Sequence, residues 1–381
     1  ADRALAFLRN AGDAAGISHV EIAGALRRSM ETVTEVCLVV ACEDASRIPA
    51  VPDEPGAPPV SVLTSPPDAF GNLWLAATGS DEHVDALRRR NPTAFALPSR
   101  TEKEIYTRLG LTFVPPELRE ANDAVERAAT GDLFRLLAPG DLKGLFHLHT
   151  NYSDGKATLS QTFQRVVELG YSFVGVTDHS PAAAYAGGLS PERVRQQWQE
   201  LDSLRASFPS LTIFRGTEAD ILPDGSVDYG DEFLAGFDFV IASVHSAFHL
   251  TEGQQTARLL RAVRNPRVTM LGHATGRLLL TRSGFPVDLD AVLQAAGASG
   301  CGIELNASPH RLDLDWRFGE KARAAGVFTS INPDAHDLAA LEHVRFGVGM
   351  ARKAGFSSEH VLNTRSAPDV AVELARLRGR A

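Results

Sequence analysis

The chain has 381 residues, 44% of them hydrophobic and 22% charged, and a net charge of −9. That length holds two or three domains with sizeable cores, and the composition excludes a disordered or fibrous protein. The acidic balance argues against tight non-specific DNA binding through bulk charge, and the apolar runs are too short for a membrane span. Cys37, Cys42 and Cys301 stand in apolar contexts without paired spacing, so they read as reduced thiols of a cytoplasmic protein. Ala1-Asp2-Arg3-Ala4 opens an amphipathic helix pattern rather than a signal peptide, and the missing initiator Met fits a piece of a longer chain.

Residues 1–80 read as a small α/β unit. A helix over 4–10 leads to a strand over 18–22, a Gly24-Ala25-Leu26-Arg27-Arg28 turn, a β-rich strand over 32–41 and a Pro-rich loop over 44–59. A short strand over 60–64 follows, and Phe70 and Trp74 read as core. Residues 81–135 read as helical and polar, with Thr101 as N-cap and Glu104 completing a capping box. Arg88-Arg89-Arg90 reads as a solvated helix end. Ala138-Pro139-Gly140-Asp141 is the expected linker to a domain over 142–381. There, strands over 145–149, 173–177, 211–217, 239–243, 269–272, 302–306 and 327–332 alternate with amphipathic helices. That alternation predicts parallel strands and an α/β barrel.

The ends of those strands carry the chemistry. Six of the twelve histidines fall in short motifs: His147-Leu148-His149 followed by Asp154, Asp178-His179, Val244-His245, Gly272-His273 and Asp334-Ala335-His336, with Glu218 between them. A barrel keeps its active site at the C-terminal ends of its strands. His147 and His149, two apart on a strand, face the same way, and Asp334 and His336 repeat the spacing. His, Asp and Glu are the ligands of hydrolytic metal centres, and a carboxylate bridging two cations suits phosphoester hydrolysis. Any single histidine here is as readily a satisfied core residue as a ligand. Nine ligand-type residues gathered at strand ends are not accounted for that way. His19, His83, His249, His310, His343 and His360 fit no such pattern.

Lys143–Asp154 resembles the opening motif of PHP (polymerase and histidinol phosphatase) domains. So do Val176–Ser180, Gly216–Ile221, Ala242–Ser246, Gly272–Arg277, Glu304–Ala307 and Asp334–His336. The resemblance covers 142–381 and implies a distorted (β/α)7 barrel with three divalent metal ions. Mn²⁺ is the expected activating ion, with Zn²⁺ or Fe²⁺ able to occupy the same nitrogen-rich sites. It implies one metal on His147, His149, Glu218 and Asp334, a second on Glu218, His245 and His273, and a third on Asp154, His179 and His336. Glu218, Asp334 and His179 would serve catalysis directly. In such a barrel Arg277 falls near the site, placed to clamp a phosphate or, equally, to brace a loop, and Arg258 is expected on the rim.

The first half is similar to the palm and thumb of bacterial family X DNA polymerases. Gly24–Arg28 resembles their nucleotide-phosphate turn, and Thr32–Val39 the strand that bears two catalytic aspartates. Here those positions hold Glu35 and Cys37, Ser61 stands for the third aspartate, Ala76-Ala77 for an aromatic pair, and Val84 for a nucleotide-contacting Asn. One acidic group cannot hold Mg²⁺ against a triphosphate. Residues 1–80 therefore read as a palm remnant and 81–135 as a thumb-like segment. The whole implies a metal-dependent 3′–5′ exonuclease and phosphoesterase acting on single-stranded or gapped DNA ends. A small-molecule phosphatase, a working polymerase and a non-catalytic DNA-binding scaffold are the rival readings.

Overall fold

A computed structural model describes residues 1–379 apart from Asn122 and Phe134. The chain forms two compact units, residues 1–134 and 135–381.

The first unit is built on a three-stranded sheet of β1 (Ile17–Ala23), β2 (Val36–Cys42) and β3 (Val60–Ser65), in that order. β1 runs antiparallel to β2, and β2 parallel to β3. The central strand reads Val-Cys-Leu-Val-Val-Ala-Cys and is buried on both faces. Its alternation divides it: Val36, Leu38 and Val40 pack with Leu8, while Cys37, Val39 and Ala41 pack with Phe70 and Trp74. The strand starts later than the residue pattern predicts, because Thr32, Thr34 and Glu35 are exposed. Across β2 and β3, Cys37 lies opposite Ser61.

Residues 81–134 belong to the same unit. Arg27 forks onto Glu102 at 2.6 and 2.9 Å, and the buried Arg119 adds a 2.7 Å bond to that carboxylate. Thr101 caps the helix Glu102–Arg108 as expected, but the Glu104 carboxylate accepts from the Arg100 amide and the Thr101 hydroxyl rather than from the Thr101 amide.

The second unit is a barrel of β4 (Gly144–Leu145), β5 (Phe173–Val176), β6 (Thr212–Asp220), β7 (Phe239–Ser243), β8 (Met270–Leu271), β9 (Gly302–Asn306) and β10 (Thr329–Asn332). The strands lie in sequential order, and every pairing is parallel. Their bodies are runs of buried residues, as strands covered on both faces require. The helices Leu159–Glu168, Pro191–Arg205, Glu252–Val263 and Leu289–Ser299 start at side-chain caps; Thr158 with Gln161 and Thr251 with Gln254 form capping boxes. One end of the interior is filled by Phe146, Phe173, Phe214 and Phe239 packed against Val370, Leu374 and Leu377 of the helix Ala367–Arg378. Gly175 and Gly216 make room for these rings, since a Cβ at either would collide with Phe146 or Phe239.

The barrel is nearly closed. Leu148 bridges Ala335 beyond the ends of β4 and β10. At the other end of that seam the Asn363 amide substitutes for strand pairing. It accepts from Ile331 N at 3.0 Å and donates to Ile331 O at 2.7 Å and Gly144 O at 3.1 Å.

The expected linker at 138–141 is a 3₁₀ turn inside this unit, and Leu137 already belongs to its core. β4 ends earlier than predicted because His147 takes a left-handed φ of 54°, which ends the pleat, and β8 keeps only Met270–Leu271 of the predicted 269–272, just before His273 at φ 25°. Among the described residues no helix is long and apolar enough to cross a membrane.

Candidate metal centre

All nine sequence-predicted ligands meet at the C-terminal ends of the barrel strands. Glu218 comes from β6, which runs on to Asp220 and so carries the carboxylate within the strand. His147 and His149 follow β4, His179 follows β5, His245 follows β7 and His273 follows β8. Asp334 and His336 follow β10. The two i, i+2 pairs do not converge as residues of one pleated strand. His147 and Asp334 both have φ near +50°, and these kinks aim the side chains inward. Left-handed backbone costs a non-glycine residue ~1–3 kcal/mol and persists where the surroundings enforce it, typically at functional sites.

Four overlapping groups result, each with its ligand atoms within 4.8 Å of one another. They are His149, Asp154, His179 and His336; His147, Glu218 and His273; His147, His149 and Asp334; and His179, Glu218 and His245. The partition differs from the one implied by resemblance. His149 also reaches the Asp154 group, and His245 and His273 approach Glu218 in separate groups, with His179 and with His147. Glu218 Oε1 lies 2.9 Å from His273 Nε2 and 3.3 Å from both His147 Nε2 and His245 Nε2, while Oε2 lies 3.1 Å from His179 Nδ1. The His149 ring is sandwiched between His179 and His336, 4.3 Å from each centroid.

An outer layer orients these rings, and the residue pattern did not reveal it. Glu304 on β9 takes the Nδ1 of His147 at 2.5 Å and accepts from the His273 amide at 2.9 Å. Asp220 takes the Nδ1 of His245 at 2.8 Å. In both cases the Nε2 is left facing the centre, the arrangement by which carboxylates set the tautomer of metal-binding imidazoles. Asn332 and Asn306 hold Glu304 in turn. Asp178, fully buried, fixes the turn after His149 by accepting from Thr150, Ser153 and Gln197. The signals available in the sequence were position near a strand C-terminus and membership of the motifs over 216–221 and 304–307, neither of which assigns a role to Asp220 or Glu304.

The electrostatics are those of a site built for cations. Burial works against protonating His147, but Glu304, Glu218 and Asp334 outweigh it and hold the ring well above the ordinary imidazole range. By the same balance Glu218 pushes His245 up to about 10, and Asp154 raises His336 to about 9. Burial and then His179 depress His149 to about 3, and burial with Arg311 lowers His273. Glu218 and Asp334 stay well below the usual carboxylate range, because the imidazoles beside them overcome desolvation.

The donor set fits divalent metals on a further ground. His147 Nε2, both nitrogens of His149, His179 Nδ1 and His273 Nδ1 are buried without a hydrogen-bond partner. Buried polar atoms are rarely left so unless something else satisfies them.

Two arginines correct the sequence reading. Arg277 does not face the centre as a free clamp: it bonds Arg311 O at 2.9 Å, Asp315 at 2.5 Å and Leu312 O, bracing the 311–315 loop. Arg258 is buried, with its guanidinium on the carbonyls of Ile221, Leu222 and Ser246, and is not a rim residue. The cation at the centre is Arg311, held on the loop that Arg277 braces, its Nε 3.5 Å from Asp334 Oδ2.

A parallel barrel with such a cluster at its strand ends defines a class, and residues 146–308 match the family model of the PHP domain. Over 276 residues, 72% of the chain, the sequence is 40% identical to the DNA polymerase/3′-5′ exonuclease PolX of Bacillus subtilis (strain 168). It spans 48% of that relative's length. A probable phosphatase of Thermoanaerobacter sp. (strain X514) is 26% identical over 230 residues, 57% of this chain and 89% of that one. Among solved structures, histidinol phosphate phosphatase from Lactococcus lactis, complexed with zinc, L-histidinol and phosphate, is similar with a TM-score of 0.42. It shows 18% identity and covers 56% of this chain and 94% of its own.

Proposed function

We propose that the chain is a metal-dependent phosphoesterase that trims DNA 3′ ends, single-stranded or gapped, as a 3′–5′ exonuclease. Its palm unit lacks the carboxylates of polymerisation. The observation that carries this reading is the set of orphaned nitrogens His147 Nε2, His149 Nε2 and His179 Nδ1, each within 3.5 Å of Glu218 or Asp334. The 40% identity to PolX supports DNA as the partner.

His147, His149, Asp154, His179, Glu218, His245, His273, Asp334 and His336 would hold two or three divalent ions, Mn²⁺ first, with Zn²⁺ or Fe²⁺ as substitutes. Such ions supply Lewis acidity: they activate water as the nucleophile and neutralise charge developing on the phosphate. His147, His149, His179 and Glu218 each belong to two of the ligand groups and would position those charges relative to one another, with Asp334 completing the group of His147 and His149. Arg311 takes the role expected of Arg277 and offers its guanidinium to a phosphate oxygen. Glu304 and Asp220 keep the imidazoles turned inward. The protein supplies no covalent nucleophile. Three free, buried cysteines support a reducing, cytoplasmic location.

The test uses a 5′-labelled single-stranded oligonucleotide with Mn²⁺, comparing wild type with His147→Ala. A ladder of 3′-shortened products in wild type alone is the expected result. Phosphate released from small phosphomonoesters without any ladder would replace this reading with that of a small-molecule phosphatase.

A further inference from the structure

We propose that Tyr185 is the platform on which the terminal base of the strand stacks when its phosphate enters the metal centre. This rests on the phosphoesterase reading above and names the feature by which the site tells a nucleotide from a smaller phosphate ester.

Tyr185 sits in the 3₁₀ turn Ala184–Ala186, between β5 and the helix Pro191–Arg205. It is 73% exposed, yet its ring centroid lies 6.4 Å from each of the His179 and His245 rings. Those two imidazoles and Glu218 form one of the ligand groups. Of the exposed aromatic residues Phe7, Tyr185 and Phe346, Tyr185 is the one whose ring meets the site histidines, among the described residues.

The backbone beneath the ring is fixed. Leu189 N donates to His179 O at 2.8 Å, so the loop is tied to a ligand residue at its far end. Ala182 N donates to Asp228 Oδ2 at 2.7 Å, and Arg193 Nη1 to Gly187 O at 3.2 Å. Gly188 lies against Ser180 O so closely that no Cβ fits. A solvent-facing aromatic on a loose loop is an ordinary surface residue. One held by this many bonds, with its face open beside a ligand group, is a preorganised surface that loses little entropy on contact.

A phosphate on a cation held by the His179–Glu218–His245 group would present its sugar and base outward, toward the ring that lies 6.4 Å from both imidazoles. Every base offers a π-face, so stacking on Tyr185 gives affinity without sequence preference. An ester with no base gains nothing from it. Tyr185 is thus a specificity-determining residue and not a catalytic one.

The test compares wild type, Tyr185→Ala and Tyr185→Phe with Mn²⁺ on two 5′-labelled single-stranded oligonucleotides. One ends in an ordinary 3′ nucleotide, the other in a 3′ abasic tetrahydrofuran nucleotide. On the ordinary end, Tyr185→Ala should raise KM about tenfold with kcat little changed, the order of one lost base–aromatic stack, while Tyr185→Phe stays within about twofold. On the abasic end all three should share one KM. Unchanged KM in Tyr185→Ala on both substrates overturns the platform and leaves the nuclease standing. So does an equal loss in Tyr185→Ala and Tyr185→Phe, which would assign the role to the hydroxyl. A wild type that shortens neither oligonucleotide overturns the nuclease reading, and this inference with it.

Discussion

Both units bury a cluster of charge, and they do so in opposite ways. In the first unit both Glu102 oxygens are taken, by the Arg27 fork and by Arg119. In the barrel, Glu218 and Asp334 lie among imidazoles that include several nitrogens with no hydrogen-bond partner. A buried carboxylate with both oxygens bonded braces the structure; donor atoms left open in the interior await a ligand. The two units have also lost and kept different things. Where the sequence resembles a palm, the first unit holds an exposed glutamate, a thiol and a hydroxyl, whereas the barrel gathers nine ligand-type residues with carboxylates behind them. Function here is read from what the fold leaves unsatisfied, not from how much charge it buries. Arg277 and Arg258 show the converse: both are cations near the site, and backbone carbonyls consume both.

The largest effect should come from Glu218→Gln. It removes the carboxylate common to two ligand groups, so hydrolysis should fall at least ~10³-fold, beyond the ~10–100-fold typical of outer-layer changes. Circular dichroism should show the fold retained, and elemental analysis should show lost metal. Activity within tenfold of wild type would erase the distinction between open and closed clusters.

Glu102→Ala is the matching change in the other unit. It leaves two guanidiniums without their carboxylate in the interior and should destabilise the first unit by ~3–5 kcal/mol. Urea denaturation followed by Trp74, whose ring lies 3.5 Å beneath the Arg27 guanidinium, reads this directly. Hydrolysis by the barrel should persist at denaturant concentrations where that signal is lost. Coincident loss of both would merge the two units energetically.

Glu304→Gln and Asp220→Asn should each weaken metal affinity ~10–100-fold while leaving every ligand in place, because His147 and His245 lose the partner that fixes their tautomer. Metal titration against a competing chelator measures this. Unchanged affinity in both would mean packing alone orients the rings.

These two carboxylates also mark the limit of what the sequence disclosed. Ligand motifs at strand ends and the runs over 239–243 and 302–306 were legible, because a buried parallel strand is a short apolar run bounded by polar ligands. Glu304 and Asp220 were not legible as partners, since only the register of neighbouring strands sets them behind His147 and His245. The shortening of β4 and β8 was hidden for a related reason: apolar pattern says nothing about a left-handed φ at His147 or His273. Arg277 was left open between a clamp and a brace because its hydrogen bonds go to backbone carbonyls 34 to 35 residues away, which no local pattern contains.

Metal loading should depend on pH with a definite sign. His245 and His336, raised to about 10 and about 9, carry protons at neutrality in the metal-free fold. Their contribution to metal-free stability is complete below the ordinary imidazole value of ~6.5 and is lost as pH climbs through 9 to 10. A metal must displace those protons, so affinity should rise with pH, by up to ~10-fold per pH unit for each proton released. Titration in weakly buffered solution with an indicator dye should register acid on loading. Affinity equal at pH ~6 and ~8 would remove His245 and His336 from the ligand set.

The smallest effect is expected in the first unit, at the positions that resemble a palm without its aspartates. Cys37 is buried beside Ser61, where burial first of all raises its thiol pKa and keeps it neutral. It packs with Val39, Ala41 and Phe70 as a small apolar side chain. Cys37→Ala should cost the first unit about 1 kcal/mol and leave oligonucleotide shortening unchanged. Neither wild type nor variant should incorporate a nucleotide, because Glu35 alone cannot hold two cations against a triphosphate. Incorporation by the wild type would show that the sheet retains a site its residues do not display. A large fall in hydrolysis in Cys37→Ala would show that the sheet takes part in the barrel's reaction, and the contrast between the two units would fail at its weaker end.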